Sequence, residues 1–148
     1  MRISFTLNGR PAALEAEPFE RLAPLLSSNF DLKSVRTACG IGRCGACMVL
    51  VDGKAVNACL LIAGKVEGAE IFTAEGLEAV AAPLIAALEA HGAIQCGYCA
   101  PGLLVSLAAS LLAGDRVRAE DVEATLTGNL CRCTGYAGIR AAIADVFG

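Results

Sequence analysis

The sequence predicts an α+β protein in which a small mixed β-sheet with one helix is followed by four helices. Over residues 1 to about 74, short apolar runs alternate with polar residues and end at turn signals such as Asn8-Gly9, which is typical of strands. Beyond that point the alternation stops, and alanine and leucine dominate, which favours helices. The chain has 148 residues, enough for two small domains, which we expect at 1–76 and 77–148.

The first half should form five strands and one helix. Strands are predicted at residues 3–7, 10–16, 48–51, 55–62 and 70–73. After Pro18, the apolar residues Phe19, Leu22, Leu25 and Leu26 recur at helical spacing, which predicts a short helix crossing the sheet.

The second half should be entirely helical. Helices are predicted at residues 77–90, 101–113, 119–125 and 137–147. Pro101 suits a first helical turn and Gly114 suits a C-terminal cap. Glu120 and Asp121 suit the positive end of the third helix.

Composition argues against a membrane protein and a nucleic-acid-binding protein, and it favours a subunit that contacts another protein. Hydrophobic residues make up 55% of the chain and charged residues 18%, with a mean hydropathy of +0.59, so some apolar surface should meet another protein. The most apolar run, residues 103–113, is about half of the roughly 20 residues that cross a bilayer, so we expect no membrane insertion. Basic residues outnumber acidic ones in neither half, which argues against nucleic-acid binding.

Eight cysteines are the most informative feature of the composition. The N-terminus offers no apolar run before a small-residue cleavage site, so we expect a cytoplasmic protein, periplasmic only if a partner carries it there. Cytosolic thiols stay reduced, and clustered ones usually bind metal. A disulfide framework is the alternative.

Four cysteines form a first set, Cys39, Cys44, Cys47 and Cys59, separated by four, two and eleven residues. The opening matches the plant-type ferredoxin spacing of three cysteines followed by a distant fourth. Three glycines in this loop let backbone N–H groups approach an anionic cluster. A structural zinc site is the alternative, although such sites usually combine two close pairs.

The second set comprises Cys96, Cys99, Cys131 and Cys133, and its spacing is less decisive. Two residues separate the first pair and one residue separates the second, with 31 residues between the pairs. In isolation this spacing also fits zinc. A helix N-terminus is predicted after each pair, which favours thiolates and an anionic cluster.

Three motifs, RTACGIGRCGACMVLVDG, QCGYCAPG and TGNLCRCTGY, occur in this order, and the resemblance that they carry covers nearly the whole chain. In this arrangement the sequence resembles the iron-sulfur subunit of the xanthine oxidase family of molybdenum hydroxylases. The resemblance implies an N-terminal β-grasp, plant-ferredoxin-like domain followed by a four-helix bundle. It also implies two 2Fe-2S clusters, an outer one on the first cysteine set and an inner one on the second.

The same resemblance implies partners and two further contact residues. A large subunit would bind the molybdopterin cofactor beside the inner cluster, and a medium FAD-binding subunit or another acceptor would take electrons from the outer cluster. Gln95 and Cys133 are candidate contacts to the pterin.

His91 is the only histidine, and a Rieske centre needs two, so that cluster type is excluded.

We therefore expect an electron-transfer subunit of a complex that hydroxylates an N-heterocycle or an aldehyde. The chain carries no nucleophile with its base and no phosphate-cradling motif, so no catalytic residue is assigned and the substrate chemistry is expected on a partner. Two alternatives stay open: an independent two-cluster carrier or redox sensor, and a zinc-stabilised interaction module.

Overall fold

A computed structural model describes residues 1–114 and 117–148 and has the α+β architecture that the sequence predicts. Five strands form one sheet in the order β2-β1-β5-β3-β4. The strands are β1 (Arg2–Leu7), β2 (Arg10–Glu15), β3 (Met48–Val51), β4 (Lys54–Asn57) and β5 (Glu70–Phe72).

Two tight hairpins and one parallel pairing make the sheet mixed, as predicted. Asn8 and Gly9 join β1 to β2, and Asp52 and Gly53 join β3 to β4. All four turn residues have positive φ, between 49° and 78°, as a type I′ hairpin turn requires. β5 runs parallel to β1 and antiparallel to β3, so it closes the gap between the two hairpins.

The strand predicted at 55–62 is shorter in the structure. β4 ends at Asn57, because Leu60 N–H donates to Asn57 O and turns the chain there. Ile62 instead forms an isolated bridge with Arg21. The prediction missed a turn that has no glycine or proline to signal it.

The helix predicted after Pro18 also begins later than expected. α1 spans Leu22–Asn29, and Phe19 precedes it with its side chain 80% exposed. Glu20 N–H donates to Glu17 O in a turn, and Arg21 is extended, so residues 17–21 form a connection. The apolar spacing of Phe19 therefore misled the prediction.

The predicted helix at 77–90 is two helices. The helical elements of the second half are α2 (Ala74–Leu77), α3 (Ala82–Ala90), α4 (Ala100–Leu112), α5 (Ala119–Thr125) and α6 (Ala137–Phe147). Pro83 lies in the first turn of α3, where its missing N–H costs nothing. Inside a continuous helix its ring would clash with the carbonyl of Ala79, which explains the break.

The predicted helix-end signals of α4 and α5 are confirmed. Pro101 lies in the first turn of α4, and Gly114 adopts φ +94° just after its end. Glu120 and Asp121 lie in the first turn of α5. Within the described ranges, none of the helices combines the length and the apolar character that crossing a bilayer requires.

Each half of the chain has its own buried apolar cluster, and a third cluster joins them. Ile3, Leu22 and Ile71 lie in the cluster beneath the sheet, whereas Leu84 and Ile139 lie in the cluster between helices. The third cluster places Met48 and Leu50 of β3 against Leu77, Ala81, Val105 and Ala108. This contact seats α4 on the sheet and brings the cysteine loops of both halves together.

Glu75 fastens α2 to the segment that enters the first cysteine loop. Its carboxylate accepts from the backbone N–H of Ser34 at 3.0 Å and from the hydroxyls of Ser34 and Thr73. Burial raises the pKa of the Glu75 carboxyl, but these donors outweigh burial and hold that pKa below its ordinary value of 4.5. The ionised form therefore stabilises the fold.

We expect Glu75→Gln to lower the free energy of unfolding by about 1 kcal/mol at neutral pH, a figure kept small because the side chain is partly exposed. A group whose pKa is depressed by folding stabilises above its unfolded pKa and loses that effect as pH falls through its folded pKa. The difference between wild type and variant should therefore be constant above about pH 6 and shrink below pH 4.5. Urea unfolding across this range measures it, and a difference that grows on acidification would contradict it.

Candidate metal centres

The first cysteine loop, residues 39–47, leads directly into β3 and folds its backbone around its own sulfurs. Gly40, Gly42 and Gly45 adopt φ values of +67°, +73° and +76°, a left-handed conformation that glycine accepts without strain. The N–H groups of Arg43 and Cys44 point at Cys39 Sγ, at 3.3 and 3.4 Å. The loop therefore presents amide donors to a thiolate.

Cys59 reaches this loop from the connection after β4. Its backbone N–H donates to Cys47 Sγ at 3.4 Å, and both residues are almost fully buried. Burial raises the pKa of the Cys47 thiol to about 12, although the Cys59 N–H favours its thiolate. Backbone N–H groups of Ile41, Arg43 and Cys44 lower the pKa of Cys39 to about 6. Backbone donors therefore favour the thiolate of Cys39, whereas burial disfavours that of Cys47, and a bound cation would favour both thiolates.

The second set lies where two loops meet beside the helices. Cys99 is the N-cap of α4, which confirms the predicted helix start at the first pair. Cys131 and Cys133 lie in the loop that leads to α6, whose N-cap, Tyr136, lies three residues after Cys133. Tyr136 holds this loop: its hydroxyl accepts from Cys131 N–H at 2.8 Å and donates to Asn129 O at 3.2 Å.

Polar donors also reach the sulfurs of the second set. Tyr98 N–H lies 3.5 Å from Cys96 Sγ and is the largest cause that lowers the pKa of Cys96. Burial raises the pKa of Cys131, but the Thr134 hydroxyl, 3.1 Å away, and nearby N–H groups outweigh burial and hold that pKa below its ordinary value. Burial raises the pKa of Cys99 to about 12. Each set thus combines a stabilised thiolate with a buried thiol.

Among the eight thiols the mutual effect on ionisation is strongest within four pairs, and this grouping fits a binuclear centre. The pairs are Cys39 with Cys44, Cys47 with Cys59, Cys96 with Cys133, and Cys99 with Cys131. Each iron of a four-cysteine 2Fe-2S cluster takes two protein sulfurs, so two pairs make one complete ligand set. Within the described ranges, no three His, Cys, Asp or Glu side chains converge on the position of a single metal ion.

Direct contacts join the two cysteine sets. The N–H of Leu130, the residue before Cys131, donates to Cys44 O at 2.9 Å. The Arg36 guanidinium, which precedes the first loop, donates to Gly97 O at 2.8 Å in the second. The fold therefore makes the two loops neighbours.

Gln95 and Cys133, the residues that resemblance suggested as pterin contacts, are both exposed beside Cys96. Arg43 and Arg132 are exposed too. His91 ends α3 and pairs with Asp145 of α6, an ordinary role at a helix end.

The sequence did not reveal three groups that position these loops: the Arg36 guanidinium, the Leu130 N–H and the Tyr136 hydroxyl. Tyr136 lies in the third motif, five residues after Cys131, so the sequence alone could have suggested a contact between them. Arg36 acts on a residue 61 positions away, and no local pattern marks such a contact.

Comparison with known proteins gives similarity along the whole chain. A family model described as a 2Fe-2S binding domain matches residues 73–144. The xanthine dehydrogenase iron-sulfur-binding subunit of Escherichia coli O157:H7 is 44% identical over 149 residues, covering 97% of this chain and 92% of that protein. The nicotinate dehydrogenase small FeS subunit of Eubacterium barkeri is 40% identical over 144 residues, covering 95% and 91%.

A solved structure agrees with these relatives. Quinoline 2-oxidoreductase from Pseudomonas putida 86 contains a chain with a TM-score of 0.88 and 37% sequence identity. The match covers 98% of this chain and 91% of that one, so it includes both cysteine sets.

Proposed function

The chain belongs to the iron-sulfur subunits of the xanthine oxidase family of molybdenum hydroxylases, and we propose that it carries electrons singly from a partner's molybdopterin site. Its role is that of the electron-transfer subunit of an oxidoreductase complex. Electrons would pass through two 2Fe-2S clusters to a flavin subunit or another acceptor. The partner would hydroxylate an N-heterocycle or an aldehyde.

The pairing of eight thiols in two sets carries this proposal. Cys39, Cys44, Cys47 and Cys59 would hold the outer cluster, and Cys96, Cys99, Cys131 and Cys133 the inner one. When bound, each cluster supplies a centre that accepts and releases one electron. The surrounding N–H groups would stabilise the more negative, reduced state and so help to set each reduction potential.

The separate apolar clusters support the proposed division into two domains. Residues 1–76 would be the β-grasp, plant-ferredoxin-like domain, supported by the mixed sheet, by α1 and by the cluster beneath them. Residues 77–148 would be the four-helix bundle, supported by the helices α3 to α6 around their own cluster. α2 lies across the proposed boundary.

The contact between the cysteine loops suits transfer between two clusters. Cys44 would bind the outer cluster, and its carbonyl accepts the N–H of the residue before Cys131, which would bind the inner one. One hydrogen bond and a short run of backbone thus connect the two ligand sets. Buried residues of β3 and α4 keep this geometry fixed.

Exposed residues support the proposed partners. Gln95 and Cys133 would face the molybdopterin of the large subunit, and the exposed apolar side chains of Ile94 and Leu130 lie in the same two loops. Ile41, in the first cysteine loop, is 67% exposed and would face the FAD-binding subunit or another acceptor. Such side chains are suited to a protein interface.

Size-exclusion chromatography and a visible spectrum of material purified through this chain test the proposal. We expect a coloured protein that elutes with a large subunit. A monomer that carries both clusters and binds no molybdenum protein would instead identify an independent carrier or sensor. A colourless, zinc-containing protein would identify an interaction module and overturn the ligand assignment.

A further inference from the structure

Arg36 connects the entrance of the first cysteine loop to the 96–99 loop of the inner cluster. One of its terminal nitrogens, Nη1, donates to Gly97 O at 2.8 Å and to Tyr98 O at 2.7 Å. Its Nε donates to Lys33 O at 3.2 Å, and its backbone N–H donates to Ala46 O. The side chain is therefore anchored on its own segment while it holds two carbonyls of the other half.

One of those two carbonyls belongs to a peptide group whose opposite end faces sulfur. Gly97 O and the N–H of Tyr98 are parts of one peptide group, and that N–H lies 3.5 Å from Cys96 Sγ. Tyr98 O belongs to the next peptide group, which leads into Cys99. A donor at the oxygen of an amide polarises the group and strengthens its N–H as a donor. Arg36 thus acts on the Cys96 sulfur without touching it.

The positive charge of Arg36 is directed at this loop. Its Cζ lies 5.2 Å from the centre of the Tyr98 ring, a distance that suits a cation–π contact. Among the described residues no carboxylate forms an ion pair with Arg36. Glu75 lines the same cavity of about 270 Å³, but its carboxylate accepts from Ser34 and Thr73. The positive charge of Arg36 near the inner cluster would therefore be little neutralised by nearby carboxylates.

We propose that Arg36 is a positioning residue for the inner cluster, fixing the backbone between Cys96 and Cys99 and polarising the peptide group that donates to Cys96. This inference rests on the proposed function, because it takes those cysteines as ligands of a 2Fe-2S cluster. Arg36 belongs to the half of the chain that forms the sheet. It would nevertheless help to set the reduction potential of the cluster held by the helical half. A guanidinium suits this task, since Nε is held by Lys33 O while Nη1 of the same rigid plane donates to both carbonyls.

The test is a redox titration of the intact complex followed by electron paramagnetic resonance, with Arg36→Ala compared to wild type. Losing both the charge and the polarised N–H donor at Cys96 disfavours the more negative, reduced inner cluster. We expect the ratio of reduced to oxidised inner cluster at a fixed potential to fall about tenfold, which for a one-electron couple is a shift of about 59 mV. The outer cluster in the same sample serves as the internal reference and should not move.

Two further variants separate positioning from charge. Arg36→Lys keeps the charge but lacks the Nε donor to Lys33 O that orients the side chain toward the two carbonyls, so a smaller fall in the same direction is expected. Lys33→Ala removes an exposed positive charge on the same segment and should leave both potentials unchanged. If Arg36→Ala fails to assemble, the Arg36→Lys titration decides the question alone.

An unchanged inner-cluster potential in Arg36→Ala would overturn the inference, as would wild-type behaviour of Arg36→Lys, because charge alone would then explain any shift. Failure of the proposed function has a different signature. The wild-type complex would then lack two 2Fe-2S signals before any residue was replaced.

Discussion

Cys133→Ser is expected to abolish the inner-cluster signal of the reduced protein and to leave the outer-cluster signal in place. Cys133 is paired with Cys96, and a serine oxygen is a poorer ligand for cluster iron than a thiolate. The outer set has independent support, since Cys47 and Cys59 are buried in the apolar cluster beneath the sheet. Electron paramagnetic resonance should show one remaining signal, and the iron content should fall by about half.

Electron withdrawal from the molybdenum subunit should slow in the same variant. The matched control is Cys39→Ser, which should give the reciprocal result: loss of the outer signal and survival of the inner one. If either substitution removed both signals together, the two halves of the chain would not bind their clusters independently.

Gly102→Ala should be strongly destabilising, although alanine normally favours a helix over glycine by about 1 kcal/mol. Gly102 lies in α4, one turn after Cys99, and an added Cβ would stand 2.0 Å from Gly45 O and 3.2 Å from Ala46 Cα. These are backbone atoms of the first cysteine loop and cannot swing aside as a flexible side chain would. We expect a loss of about 1 to 3 kcal/mol from overpacking.

Thermal unfolding followed by circular dichroism measures this loss, which corresponds to a midpoint lower by about 3 to 10 °C. Gly128→Ala is the matched control, because a Cβ there meets no atom within 4 Å. Equal midpoints for the two variants would show that the close approach of α4 to the first loop is not needed for stability.

The proposed ligands of the outer cluster follow from a largely local pattern. Residues 39–47 carry three of these four cysteines together with the glycines that shape the loop, so spacing alone indicates a cluster. The inner set is divided by 31 residues, and spacing alone left zinc as an alternative. The pairing of Cys96 with Cys133 and of Cys99 with Cys131 is a tertiary feature that only the fold provides.

The helix predictions that were wrong have a common physical origin. Apolar spacing alone predicts a helix, whereas turns and proline impose backbone constraints that can prevent one. Phe19 matched the helical period, yet the turn at Glu17 to Glu20 keeps it outside α1. Pro83 stood inside the predicted helix 77–90, although its ring excludes that continuous helix. Proline positions should therefore be weighed before periodicity.

The contacts between the two halves of the chain could not be predicted from the sequence. Arg36 and Gly97 are 61 positions apart, and Leu130 reaches Cys44 only because β3 and α4 pack together. Such contacts depend on how the helices pack against the sheet, and no periodicity in either segment predicts that packing.

Electron paramagnetic resonance of the dithionite-reduced complex, purified through this chain and assayed for iron and molybdenum in the same sample, tests the central claim most directly. Two distinct 2Fe-2S signals with molybdenum in the same fractions are the predicted result. A single cluster signal, or none with zinc in its place, would contradict both the ligand assignment and the electron-transfer role.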